Sequence, residues 1–233
     1  MINNLTNAEL IQNYQTVLNR IKTATAAANR PQQSVQLLAV SKTKPLSAIE
    51  VLAEAGQKAF GENYLQEALT KIEQRPDLEW HFIGPIQSNK TRPIAELFQW
   101  VHSVDRYKIA RRLSDQRPKD LPPLNILLEV NISEEDSKAG FSQAEVIAQA
   151  AEIAAMPNLS LRGLMAIPAK SEGLEAQRQP FQQMQQLLKQ LQALCPDSEL
   201  DTLSMGMSAD LEAAILEGAT LVRIGTDLFG ARR

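Results

Sequence analysis

The sequence predicts an α/β protein, a (β/α)8 barrel with one extra helix in front. Two observations predict it. Short apolar runs alternate strictly with segments of helical periodicity, the pattern of parallel strands joined by crossover helices. Eight such units follow one another, the number that closes a barrel. A doubly wound open sheet is the structural alternative, but no Gly-x-Gly-x-x-Gly follows an early strand. The 233 residues suit one domain of this kind, and no repeat or linker divides them. Residues 1–233 are therefore expected to form a single barrel domain.

Each element has its own justification. Thr6 and Glu9 make a capping box before a helix carrying Leu10, Ile11, Tyr14, Leu18 and Ile21. Leu37–Val40 reads as the first strand. Ser47 and Glu50 suggest a second capping box, with Gly56 ending that helix. Lys58–Gly61 is a short second strand, and Asn63 is placed to cap the helix that stops before Pro76. Trp80–Ile83 and Trp100–Val104 are strands three and four. The helix between them either starts or kinks at Pro93, and Asp105 is placed to cap the next one. Leu124–Asn131 is strand five, followed by a third capping box at Ser142 and Glu145 and a helix ending before Pro157. Leu159–Ile167 holds strand six, and a glutamine-rich amphipathic helix covers about Pro180 to Leu194. Thr202–Met205 is strand seven, Ser208 is placed to cap a helix ending at Gly218, and Leu221–Ile224 is strand eight.

Composition excludes several function classes. Lys and Arg total 24 against 27 Asp and Glu, so no basic excess points to nucleic acid. Cys195, the one cysteine, allows no intrachain disulfide, which fits a reducing compartment. The first residues lack a basic leader, and no apolar segment is long enough to span a bilayer. A soluble, cytoplasmic protein is the expectation.

The working residues of a barrel sit at the C-terminal ends of its strands. Lys42 occupies that place after strand one, where partial burial would suit it to Schiff-base chemistry; a plain surface lysine is the alternative. Lys44 shares its face but lies further into the loop, beside Pro45. Ser204, Gly206 and Ser208 lie between strand seven and a helix, and Gly225 and Thr226 repeat that chemistry after strand eight. Either segment alone could be ordinary capping. Together they suggest an amine facing a phosphate cradle, which suits a phosphorylated aldehyde such as pyridoxal phosphate. Arg223, between apolar Val222 and Ile224, either meets a ligand atom such as a ring nitrogen or pairs with a carboxylate. His81 and His102 lack metal-ligand spacing and read as structural. Met165, Met205 and Met207 read as core or pocket lining. No Ser-His-Asp set and no metal motif is present. Arg106, Lys108, Arg111 and Arg112 form a basic helix run, read as a solvated face, with a partner-docking surface as the alternative.

These segments resemble the pyridoxal phosphate homeostasis protein family. The resemblance rests on Leu37–Pro45, Phe60–Gln66, Trp80–Lys90, Gly163–Pro168, Leu203–Ser208, Val222–Thr226 and Phe229–Arg232, and covers nearly the whole chain. It implies a modified TIM barrel similar to the N-terminal domain of alanine racemase. It implies pyridoxal phosphate held as an internal aldimine on Lys42, with Ser204, Ser208, Gly225 and Thr226 around the phosphate and Arg223 beside the ring nitrogen. Asn63, His81 and Met165 are implied pocket residues. The implied role is a monomeric carrier or buffer in vitamin B6 and amino-acid homeostasis, without an established reaction. Pyridoxal phosphate-dependent apo-enzymes or a regulatory protein would be its partners. An amino-acid racemase is the alternative. An arginine at the ring nitrogen disfavours its protonation and weakens the ring as an electron sink, which argues against catalysis. Racemisation also needs an acid/base on each face of the substrate carbon. The chain ends soon after strand eight, without the second domain that supplies one in racemases, and of its tyrosines, Tyr14, Tyr64 and Tyr107, only Tyr64 falls near a strand end.

Overall fold

Helix α1 (Asn7–Ala27) starts where the sequence directs it. Thr6 Oγ1 accepts from the Glu9 N–H, and the Glu9 carboxylate accepts from the Thr6 N–H in return. Leu10, Tyr14, Val17, Ile21 and Ala24 recur at helical spacing on its buried face. The computed structural model describes residues 5–135 and 138–230. Ala231 and Arg232, the end of the Phe229–Arg232 segment, lie outside them.

After α1 the chain alternates as predicted. The elements are β1 (Gln36–Val40), α2 (Leu46–Glu54), β2 (Ala59–Glu62), α3 (Leu65–Gln74), β3 (Glu79–Phe82) and α4 (Thr91–Leu97). They continue as β4 (Trp100–Val104), α5 (Tyr107–Gln116), β5 (Leu124–Glu129), α6 (Gln143–Ala154), β6 (Leu159–Met165) and α7 (Leu174–Leu194). β7 (Thr202–Ser204), α8 (Leu211–Leu216), β8 (Leu221–Ile224) and the short α9 (Thr226–Phe229) complete the order. All neighbouring strands pair in parallel, and β8 returns to β1 with Leu38 opposite Arg223 and Ala39 opposite Ile224. The sheet is a closed barrel.

Strand alternation divides the buried side chains into two sets. Leu37, Ala39, Phe60, Trp80, Phe82, Val101, Ile126, Leu203, Val222 and Ile224 point outwards into one core shared with the helices. Residues between them point into the barrel, among them Leu38, Leu127, His81, His102, Ser204 and Arg223, all buried. Gly163 marks the tightest strand approach: a Cβ there would lie 1.9 Å from the Thr202 carbonyl oxygen.

Several expected caps are corrected. α2 begins one residue before Ser47, with Pro45 at its N-cap and no side-chain cap, so Ser47 lies inside the helix. Tyr64 rather than Asn63 precedes α3, and Arg106 rather than Asp105 precedes α5. α8 starts after Asp210, not after Ser208; Asp210 Oδ1 instead accepts from the Met207 N–H at 2.6 Å. Pro93 falls in the first turn of α4, where a missing N–H costs nothing. α7 begins six residues before Pro180, which sits inside the helix. The Ser142–Glu145 box is formed in full.

Candidate functional site

The turn after β1 carries Lys42 and is tied down from two sides. Ser41 Oγ donates to Glu62 Oε1 at 2.6 Å. Lys71, reaching from α3, donates to the Ser41 carbonyl at 2.9 Å, to Glu62 at 2.7 Å and to Glu67 at 2.6 Å. Glu67 in turn accepts from the Thr43 N–H at 2.7 Å, and Thr43 has φ 65°, a left-handed conformation that a side chain other than glycine rarely holds. Ser41 is thus fixed by the buried Lys71–Glu62 pair and Thr43 by the partly exposed Glu67, while Lys42 itself is half-buried. Burial pushes the Glu62 carboxyl up from its ordinary value against the opposing pull of Lys71.

The neighbouring strand end completes that side of the mouth. Gly225 follows Ile224, the partner of Ala39, so it stands beside the end of β1. A Cβ on Gly225 would meet the Val40 carbonyl oxygen at 3.3 Å, closer than most side chains tolerate. Thr226 is exposed and opens α9. Gly206, with φ 94°, turns the chain after β7, and its carbonyl accepts from the Arg223 N–H at 2.9 Å. Ser208 lies past that turn, half-buried, and its carbonyl accepts from Arg20 at 3.0 Å. Arg20 also pairs with Glu212 of α8 and Asp227 of α9, so α1 clamps the segments that follow both β7 and β8.

Beneath the mouth lies Arg223. Its Nη1 donates to the Ser204 carbonyl at 2.6 Å and to Ser204 Oγ at 2.7 Å; its Nη2 donates to the Ala166 carbonyl at 2.9 Å. These partners are neutral, and among the described residues no carboxylate forms a salt bridge with it. Burial lowers its pKa to about 10, so it remains a cation at neutral pH. Three bonds use three of a guanidinium's five N–H donors. Ser204 Oγ also meets His102 Nδ1 at 2.9 Å. Ser204, expected in a phosphate cradle, therefore has its hydroxyl turned into the barrel and engaged there.

The remaining expected pocket residues divide by depth. Asn63 follows β2, and its Oδ1 is buried without a hydrogen-bond partner among the described residues. Gly84 packs against its backbone so closely that a Cβ would lie 2.1 Å from the Asn63 carbonyl oxygen. Met165 ends β6, buried beside Ser204 of β7. His81 lies deeper, between Gly61 and Trp100 in register, and bonds His102 and Glu79. Glu129, which ends β5, went unnoticed in the sequence; burial first, then the nearby Asp105, raises its pKa to about 7 against the pull of Arg223. Among the described residues no group of three or more His, Cys, Asp or Glu side chains could hold a metal ion, and no helix is long and apolar enough to cross a membrane.

This set fits a phosphorylated heterocyclic aldehyde. An unpartnered buried amide oxygen, a buried arginine with donors to spare and an amine on a braced turn are distinct polar groups around one barrel mouth. Known proteins share the arrangement of the chain. The family described as alanine racemase, N-terminal domain, matches residues 12–233. The pyridoxal phosphate homeostasis protein of Pseudomonas aeruginosa is 58% identical over 225 residues, 96% of each chain. The structure of PipY from Synechococcus elongatus with pyridoxal phosphate bound is 37% identical, with a TM-score of 0.79 over 92% of this chain and 100% of that one. The alanine racemase of Corynebacterium glutamicum, 15% identical, shares the fold: its TM-score is 0.71, covering 97% of this chain and 61% of that one.

Proposed function

This chain belongs to the pyridoxal phosphate homeostasis protein family, and on that premise we propose that it is a carrier or buffer of pyridoxal phosphate, attached through Lys42. The observation that carries the proposal is the meeting, at adjoining strand ends, of the braced Lys42 turn and the Gly225–Thr226 loop above the buried Arg223. Bound pyridoxal phosphate would bring an aldehyde, a phosphate and a ring nitrogen. The Lys42 amine condenses with the aldehyde, with loss of water. Ser208, Gly225 and Thr226 hold the phosphate through hydroxyl and backbone N–H donors. Arg223 donates to the ring nitrogen and keeps it unprotonated, which suits storage better than carbanion chemistry. Asn63 and Met165 line the pocket.

The PipY structure with pyridoxal phosphate bound supports the ligand, and the names of the curated relatives support the homeostatic role. The reading extends to one barrel domain acting as a monomer in the cytoplasm, handing the cofactor to apo-enzymes. The test is an absorption spectrum of the purified protein with added pyridoxal phosphate, before and after borohydride, with peptide mapping. A visible band that bleaches and leaves a pyridoxyl group on Lys42 is expected, and Lys42→Ala should give no lysine-linked band while remaining folded. A modified lysine elsewhere would overturn the anchor.

A further inference from the structure

Inside the barrel, five polar residues form a single hydrogen-bonded row whose direction is fixed, for neutral imidazoles, by the carboxylate at one end. Arg223 can only donate, so Ser204 Oγ, 2.7 Å from its Nη1, accepts there; a hydroxyl keeps a second lone pair as well as its hydrogen, so this end alone leaves the bond to His102 Nδ1 at 2.9 Å open in either sense. The Glu79 end decides it for neutral rings: His102 Nδ1 accepts, and the ring proton sits on Nε2, 2.8 Å from His81 Nδ1. His81 Nδ1 accepts in turn, and its Nε2–H meets Glu79 Oε1 at 2.7 Å. A carboxylate can only accept. The order demanded by the carboxylate is compatible with the arginine, and each of the four links of the row has one donor and one acceptor. A protonated His81 would reverse its bond to His102 and leave the Ser204 hydrogen without an acceptor in the row. Burial pushes both imidazoles down from their ordinary value, in keeping with neutral rings.

The row connects the two ends of the barrel. The strands β4 and β7 that carry His102 and Ser204 are not neighbours, so their bond crosses the interior. Glu79 opens β3 at the opposite end from the mouth and lines a cleft of about 430 Å³ there with Trp100, Arg117 and Asn125. Trp100 stacks on His81, with planes 1° apart and centroids 5.5 Å apart, which fixes the ring plane.

We propose that Glu79, His81 and His102 are positioning residues that act through Ser204 to hold the Arg223 guanidinium in the orientation that meets a heterocyclic ring nitrogen. The carboxylate at the barrel floor sets the sense of every bond up to that arginine. The cofactor half of this proposal rests on the pyridoxal phosphate reading above.

The chain has two histidines, both predicted in the same tautomer, so imidazole 15N spectra of the protein without added cofactor test the row directly. Both rings should be neutral, with Nε2 protonated and Nδ1 bare. A ring protonated at Nδ1 in the wild type overturns the row with no variant needed. Glu79→Leu removes the terminal acceptor. It should disturb the His81 tautomer and weaken pyridoxal phosphate binding about tenfold, the scale of one charge-assisted hydrogen bond. Glu79→Gln, whose carbonyl accepts the same proton, should restore both. Wild-type affinity in a folded Glu79→Leu protein with altered tautomers overturns the positioning role. Predicted tautomers in a wild-type protein that binds no pyridoxal phosphate keep the row, and remove both the function proposed above and the role for a ring nitrogen.

Discussion

Lys71 bears more of the site than its place in the sequence suggests. One ammonium holds the Ser41 carbonyl, Glu62 and Glu67, and both Lys71 and Glu62 are buried. Removing one partner of a buried pair leaves an uncompensated charge, so Lys71→Met should cost about 3–5 kcal/mol in denaturant unfolding. Adding Glu62→Gln to that variant should recover part of the loss, since the stranded carboxylate is then gone. An unchanged midpoint in the single variant would mean that the pair contributes nothing. Lys42 was legible because it ends an apolar run before a proline. Lys71 was not: it stands between Thr70 and Ile72 in an ordinary helix, and its partners Ser41 and Glu62 come from two other segments. Only the Glu67–Lys71 spacing of four hints at pairing.

Helix starts show which sequence signals survive folding. Ser47–Glu50 and Ser142–Glu145 have the same spacing, yet only the second forms a capping box. α2 starts early because the Pro45 carbonyl already accepts from the Ala48 N–H, which leaves Ser47 within the first turn. Ser142→Ala should therefore cost about 1 kcal/mol, whereas Ser47→Ala should be near neutral; chemical denaturation of both variants separates them. Equal costs would contradict the structure. Pro180 misled in the opposite direction. A proline is read as the first residue of a helix, but α7 runs six residues past it towards the N-terminus. Strand positions were more legible than caps: β4 and β8 fall at the expected residues, because a buried apolar run bounded by polar residues has little freedom to slide.

Across the whole molecule, the closed barrel was legible from alternation and the count of eight units, but its polar interior was not. Period two says which residues share a face, and only closure says that His102 of β4 faces Ser204 of β7. The same closure partly buries Glu129. Its folded pKa of about 7 lies above the ordinary 4.5, so between those values the folded chain keeps a proton that the unfolded chain has released. The stability this contributes is present at low pH and is lost as pH rises through about 7. Glu129→Gln should thus gain on the wild type across that window, on the order of 1–2 kcal/mol after allowing for partial exposure. Thermal unfolding of both proteins over that range would show it, and parallel curves would refute it. Closure also orders events in time. Among the described residues, seven of the eight strand pairings join consecutive strands, and β8 with β1 joins the first strand to the last. During synthesis the early strands can pair as they emerge, but the last seam waits for residues 221–224. Lys42 stands on one side of that seam, and Arg223, Gly225 and Thr226 stand on the other. These residues therefore come together only when β8 docks, and any ligand held across the seam acts as a clasp on the finished barrel.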